Sequence, residues 1–372
     1  MSLHIGVDAS RVDRGHRTGT EQYSAQLLEA LGEIDRRNRY TLYANARTGP
    51  GLRLPPNFRA RLIPFPRLWT HARLSLEMAS RAPDVLFVPA HVVPLVHSRA
   101  VVTIHDLGYR AFPGAHPPLA RRYLDWSTRW SAAAARRVIV PSEATARDLA
   151  DTYGTAQNKI VVIPHGFHPR FRPLDPAEVE DGLARLGITR PYLLFVGTLQ
   201  PRKNLSRVLR AFERLAGHGW PGRLVLVGQR GWLSDPIFAA IARPGSPAHG
   251  RVHLTGYLDD ADVPIVYNGA AGLVFPSLYE GFGLPALEGM ACGTPVLTSN
   301  TSSLPEVVGD AALLVDPLDT DAIAAGMGRI AGDVALGEDL RRRGLARAGQ
   351  FTWRRAAERT LAVLEDVACG SR

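Results

Sequence analysis

The segment PSLYEGFGLPALEGMACGTPV (residues 276–296) closes an apolar run, GLVFPS (272–277), and opens a helical pattern. The strand ends at Pro276, and Glu280 follows in a loop where Gly281 and Gly283 flank Phe282. Pro285 falls where the first helical turn begins, a position proline favours because its missing N–H is not needed there. Glu288 lies early in that helix. A glycine-bent helix start presents unpaired backbone N–H groups and a positive dipole end, which suits an anion such as a pyrophosphate. Two carboxylates, one in the loop and one on the helix, can each accept two hydrogen bonds. That is the pattern a vicinal diol of a sugar or a ribose offers.

Outward from this segment the chain alternates short apolar strands with helical periods. The second half reads YLLFVGTL (192–199), an amphipathic helix marked by Leu205, Val208, Leu209, Phe212 and Leu215, then LVLVGQ (224–229), RVHLTGY (251–257), GLVFPS and TPVLTS (294–299). Helices are expected over Asp319–Ile330 and from Thr352, a plausible N-cap. The first half reads LHIGVDAS (3–10), a loop with Gly15 and Gly19, and a helix face of Tyr23, Leu27, Leu31 and Ile34. The strands YTLYA (40–44), DVLFVPA (84–90), AVVTIHD (100–106), RVIVPS (137–142) and IVVIPHG (160–166) follow, with helices at Pro118–Arg136 and Glu143–Tyr153. Such alternation predicts parallel sheets covered on both faces, with ligands beyond the carboxyl ends of the strands. The proline-rich HPRFRPLDP (168–176) breaks the pattern and reads as a hinge between two α/β units.

Composition narrows the classes. The chain has 372 residues, 45% hydrophobic and 21% charged, an ordinary globular balance long enough for two domains. Two cysteines, Cys292 and Cys369, give no disulfide framework and suggest a reducing compartment. The start MSLHIGVDAS lacks a signal-peptide pattern, and no apolar run approaches the ~20 residues of a membrane span. The expected location is therefore cytoplasmic. The formal charge is +9, and residues 1–172 hold 24 Lys+Arg against 13 Asp+Glu, or +11. A basic first half allows peripheral contact with an anionic inner-membrane face or a phosphorylated ligand. No zinc-finger spacing, aromatic RNA-binding motif or long basic run supports nucleic acid. Among 44 basic residues only Lys159 and Lys203 are lysines, so each merits a dedicated explanation.

The 276–296 segment resembles the E-x7-E motif of the retaining, GT-B-fold nucleotide-sugar glycosyltransferases of family 4. The resemblance runs in order through TGTEQYSAQLL (18–28), VVTIHDL (101–107), VPSEATARDL (140–149), VIPHG (162–166), FVGTLQPRKNL (195–205), LVLVGQRGW (224–232), LTGYLDDADV (254–263) and SSLPEVVGDAALLVDP (302–317). It implies an α/β GT-B architecture, two Rossmann-like domains facing across a cleft. Their expected limits are 1–171 and 172–351, with a C-terminal helix, 352–372, packing back on the first.

The resemblance also implies roles. Glu280 would hold hydroxyls of the donor sugar, and Glu288 the nucleotide ribose. Backbone N–H groups of Phe282, Gly283 and Leu284 would meet the donor phosphates, and Arg202 and Lys203 would neutralise the departing diphosphate. His105 would face the sugar, Gly19 and Thr20 would close over the donor, and Tyr257 and Leu258 would border the base. The nearest pattern is that of bacterial mannosyltransferases of polysaccharide assembly, which makes GDP-mannose the first donor and a saccharide or lipid-linked hydroxyl the acceptor. UDP- and dTDP-sugars are the alternatives. No cofactor or metal is expected. One departure is Thr198, where many family members carry arginine. Asp259, Asp260 and Asp262 imitate a metal-binding DxD, but they precede a helical pattern and read as capping residues. A non-catalytic sugar-nucleotide sensor and a nucleotide-sugar epimerase share the scaffold. The first predicts binding without turnover, the second turnover without an acceptor.

Overall fold

The central strands are apolar on both faces because helices cover both sides of each sheet. The computed structural model describes residues 2–12, 19–45, 52, 54–115, 117–233, 235–241 and 245–370. The chain divides into two compact units, Met1–Gly166 with Phe351–Arg372, and Phe167–Gln350. The first unit holds β1 (His4–Asp8), β2 (Arg39–Ala44), β3 (Phe58–Leu62), β4 (Val85–Val88), β5 (Ala100–Thr103), β6 (Arg137–Val140) and β7 (Ile160–Val162). They form a parallel sheet in the order β3-β2-β1-β4-β5-β6-β7. Side chains alternate across it with period two. Ile5, Val7, Val85, Phe87, Val101 and Ile139 join one core. Leu86, Val88, Val102, Val138 and Val140 join the other.

The first of these cores is closed by the helix Gly19–Ile34 and the helix Trp353–Cys369, which pack on one another. Thr352 caps the second of these, its side chain accepting from the N–H of Arg355 at 3.2 Å. Lys159 donates to the carbonyls of Ala132 and Ala133, at 2.8 and 2.5 Å. It thereby satisfies the carboxyl end of the helix Pro118–Ala134, where a cation also suits the dipole. One of the two lysines is thus structural.

The second unit holds β8 (Tyr192–Val196), β9 (Arg223–Val227), β10 (Val252–Gly256), β11 (Gly272–Phe275), β12 (Val296–Ser299) and β13 (Leu313–Val315). Their order is β10-β9-β8-β11-β12-β13, again parallel. Each sheet reverses its winding once, between β1 and β4 and between β8 and β11. Connections then leave adjacent strands in opposite directions and open a crevice at their carboxyl ends.

Several elements depart from the sequence pattern, among them two strands and two helices. β3 and β13 are edge strands whose residues stay partly exposed, so neither makes a continuous apolar run. The helix Pro176–Arg185 starts inside the stretch read as a hinge. Asp175 is its N-cap, accepting from Ala177 N–H at 2.8 Å, and Pro176 opens the first turn. The helix Val334–Ala348 was not marked either; its outer face is largely charged. No helix among the described residues is long and apolar enough to cross a membrane.

Candidate functional site

β8 and β11 are neighbours, and the residues that follow them meet. After β8 the chain makes a tight helical turn, Pro201–Lys203, ended by Asn204 in the left-handed conformation at φ 62°. Asn204 is a residue type that tolerates this backbone. Its amide donates to the carbonyls of Pro276 and Pro317, at 3.0 and 2.6 Å, and clamps the turn against the end of β11. Leu278 N–H donates to the Arg202 carbonyl at 2.9 Å, tying the same two segments a second time.

This clamp brings three of the expected residues together. Lys203 Nζ lies 2.5 Å from Glu280 Oε1, and Arg202 Nη1 lies 3.3 Å from Oε2. Arg202 also donates to the Tyr279 carbonyl at 3.0 Å. Lys203 sits over the Phe275 ring, 4.7 Å from its centre. Neither cation is a solvated surface group: Lys203 and Glu280 are each 7% exposed, and Arg202 is half-buried. Burial alone would raise the Glu280 carboxyl, but the Arg202 and Lys203 charges outweigh it and hold the group below its ordinary value. The buried second lysine is therefore poised beside an anion.

The glycine loop is held from the other side by Ser302 and Ser303. Ser302 Oγ accepts from Glu280 N–H at 3.1 Å, and the Ser303 hydroxyl reaches the carbonyls of Glu280 and Phe282, at 2.9 and 2.8 Å. Gly283, at φ 109°, is the N-cap of the helix Leu284–Cys292. The backbone angle favours glycine, and a Cβ there would stand 2.6 Å from Leu304 Cδ2 and push that side chain aside. Pro285 occupies the first turn. Ala286 N–H donates to the Gly283 carbonyl at 3.0 Å and Pro285 has no N–H, so the backbone groups to consider for an anion lie at the turn itself, Phe282 to Leu284.

Glu288 sits one turn further along and accepts from the Tyr267 hydroxyl at 3.1 Å. Although it keeps some solvent access, burial pushes its carboxyl up to about 8. An unfolded glutamate titrates near ~4.3. Between those values the folded state keeps a proton that the unfolded chain has released, so stability falls as pH rises through the window. The Glu288→Gln variant should lose that pH dependence and be more stable than the parent near pH ~9, as read by urea unfolding. A stability difference between variant and parent that stays constant from about pH 5 to about pH 9 would refute the raised carboxyl.

Tyr257 and Leu258 follow β10, at the carboxyl edge of the same sheet, and Tyr257 is exposed. Thr198 is exposed after β8. The acidic trio is corrected in part. Asp262 occupies the N-cap position of the helix Val263–Gly269 without a side-chain cap bond. It pairs instead with Arg185 at 2.6 Å, and Asp260 pairs with Arg170 at 2.6 Å. Among the described residues no group of three or more His, Cys, Asp or Glu is placed to hold a metal ion.

In the first unit His105 follows β5 and is buried. Its Nε2 lies 2.9 Å from the Pro89 carbonyl, which can only accept, so Nε2 carries the proton. Burial, and then the neighbouring His91, lower its pKa to about 4. The ring is thus neutral near pH 7, and Nδ1 is left as an acceptor. Tyr23, His91 and His165 surround it, with ring centres 4.7, 5.5 and 5.5 Å away. Gly19 and Thr20 open the helix that carries Tyr23. The preceding loop with Gly15 lies outside the described residues.

Sequence reasoning gave no role to Asn204, Ser302 or Ser303. The only local sign was an asparagine directly after the basic pair and a serine pair before Leu304-Pro305.

Comparison with known proteins gives the family and the fold. The family described as Glycosyltransferase Family 4 matches residues 17–171. Glycosyl transferases group 1 matches residues 190–333. The O-antigen chain mannosyltransferase B of Escherichia coli is 36% identical over 277 residues, covering 73% of this chain and 72% of that one. The D-inositol 3-phosphate glycosyltransferase of Acidothermus cellulolyticus is 35% identical over 74% of this chain and 62% of its own length. The sucrose-phosphate synthase structure from Thermosynechococcus elongatus superposes with a TM-score of 0.78 at 22% identity, covering 99% of this chain and 100% of that one, and shares the fold. Two family patterns matched in order, and one relative this similar over most of both lengths, leave one assignment: the chain belongs to the group 1, family 4 glycosyltransferases.

Proposed function

We propose that this protein transfers a mannosyl residue from GDP-mannose to a hydroxyl of a saccharide or lipid-linked acceptor in bacterial polysaccharide or glycolipid assembly, with retention at the anomeric carbon. The observation that carries the reading is the buried Lys203–Glu280–Arg202 cluster at the adjoining ends of β8 and β11. The mannosyl choice rests on the similarity to the E. coli mannosyltransferase.

In this reading Glu280 stands in for the donor's charge until the donor arrives. The diphosphate then takes over Lys203 and Arg202, and the backbone N–H groups of Phe282, Gly283 and Leu284 meet its remaining oxygens. The freed Glu280 carboxylate accepts from sugar hydroxyls. As the bond from the anomeric carbon to the phosphate oxygen breaks, its electron pair passes to the diphosphate. Fixed cations stabilise that growing charge without reorganising, which in a low-dielectric site is a large catalytic term. These cations occupy the place a metal would have. The acceptor oxygen bonds to the anomeric carbon on the face the phosphate leaves, and its proton passes to a departing phosphate oxygen. Neutral His105 offers Nδ1 to a sugar hydroxyl, and Glu288 accepts from the ribose.

Thermal melting against GDP-mannose, UDP-glucose, UDP-N-acetylglucosamine and a dTDP-sugar tests the donor. A ligand specific for the folded state raises stability with ln(1 + [L]/Kd). GDP-mannose should give the largest shift, and the anomeric configuration of the product should match the donor's by NMR. A larger shift with a UDP- or dTDP-sugar would overturn the mannosyl assignment. An inverted product would overturn same-face transfer.

A further inference from the structure

The helix Pro118–Ala134 is inverted for a helix on a globular domain. The face it buries carries Ser127, Thr128, Ser131 and Ala132. The face it exposes carries Leu119, Tyr123 and Trp126, which are 78%, 45% and 47% exposed. These fall at i, i+4 and i+7, so they form one stripe. Arg122 and Arg129 lie exposed on the same stripe. The helix's single carboxylate, Asp125, is already engaged by Arg110 at 2.7 Å and by the Tyr153 hydroxyl at 2.6 Å.

The stripe does not end at the helix. His71 Nε2 lies 3.0 Å from the Tyr123 hydroxyl, and its ring centre is 5.4 Å from that of Trp126. Val93 is tied to the helix through Ser131 Oγ at 2.9 Å and the Trp130 indole at 3.2 Å. The loop it begins exposes Leu95 and Val96. All of this surface belongs to the first unit, the part of the chain that carries the net positive charge.

We infer that this stripe is a docking surface for an anionic lipid bilayer. Indole and phenol rings combine an apolar body with a polar tip, and arginine stems lie along apolar surface with the charge outward. A helix with such a face settles in the headgroup boundary, where buried apolar area and attraction to anionic lipid act together. The three large side chains expose on the order of 300 Å². In a symmetric pair the exposed arginines Arg122 and Arg129 would face the same charges on the second copy, which argues against that occupant.

Co-sedimentation of the full chain with phosphatidylcholine vesicles, with and without phosphatidylglycerol, tests the assignment. The protein should pellet with the anionic vesicles, remain in solution with the neutral ones, and be released by salt. The double variants Tyr123→Ser/Trp126→Ser and Arg122→Gln/Arg129→Gln should each weaken partitioning by roughly tenfold or more, with unchanged melting. If the aromatic pair fails to fold, the arginine pair carries the test alone. Equal pelleting with neutral vesicles, no pelleting, or variants that bind like the parent would overturn the assignment. So would a concentration-dependent dimer that the variants abolish. No donor or turnover enters the readout, so failure here and failure of the transfer reading are separable.

Discussion

Glutamine in place of Glu280 should lower kcat by roughly 10³-fold while the protein still binds nucleoside diphosphate. The neutral amide can hold neither the sugar hydroxyls as strongly nor the two cations beside it. Lys203 is buried against Phe275 and would lose its full counter-ion. Breaking a buried pair by removing one partner costs about 3–5 kcal/mol, so the ligand-free variant should melt well below the parent. GDP should restore much of that loss, because its diphosphate supplies the missing anion to Lys203 and Arg202. Calorimetry, melting and steady-state turnover read the three effects separately. Turnover within a few-fold of the parent would remove Glu280 from the chemistry. A variant that loses GDP binding together with activity would move Glu280 from sugar contact to phosphate-site structure.

Methionine in place of Lys203 should give the second large effect. It keeps the length of the side chain and its packing on Phe275 but removes the charge. Leaving-group stabilisation then falls to Arg202 and the helix start, and kcat should drop by roughly 10²–10³-fold. Glu280 would face burial with Arg202 alone, at 3.3 Å, so its carboxyl should rise. The rise in stability with pH that a depressed carboxyl gives the parent should therefore shrink in the variant. Arginine should not rescue the activity. Its planar fork is wider than an ammonium and does not fit a buried position that holds a single point charge 2.5 Å from Glu280. An arginine variant with parental kcat would show that only net charge matters there.

The legibility of the fold follows burial. β4 and β5 are buried at every position, so VLFV and AVVT stand out as apolar runs. β3, FRARL, is an edge strand in which Arg59 is exposed and Arg61 pairs with Glu77 at 2.6 Å, and nothing in its spelling separates it from loop. The helix Pro176–Arg185 was hidden because Asp175-Pro176 is both a loop pair and an N-cap followed by a first-turn proline. Glu280 lies in a stretch that Pro276 and Gly281 mark as a loop, and Lys203 stands out as one of two lysines, whereas His105 is singled out only by the family resemblance. Asn204, Ser302 and Ser303 were not readable. They hold carbonyl and amide groups far away in the chain, and such contacts leave no local period. Asp262 shows the same limit from the other side: an acid before a helix reads as a cap, while its partner Arg185 sits on another element.

The tail helix that closes the first core has a consequence for how the molecule is made. Residues 3–166 build a seven-stranded sheet, yet Trp353, Ala356, Ala357 and Leu364 complete one side of its interior. A ribosome delivers the whole of 167–350 before those residues emerge. The later unit is continuous and can mature first, whereas the earlier one waits with a bared apolar face until its last piece arrives. Nascent chains halted before residue 351 should therefore expose a protease-sensitive leading half beside a protected trailing half, and clipping off the tail should unravel the beginning of the polypeptide rather than its end.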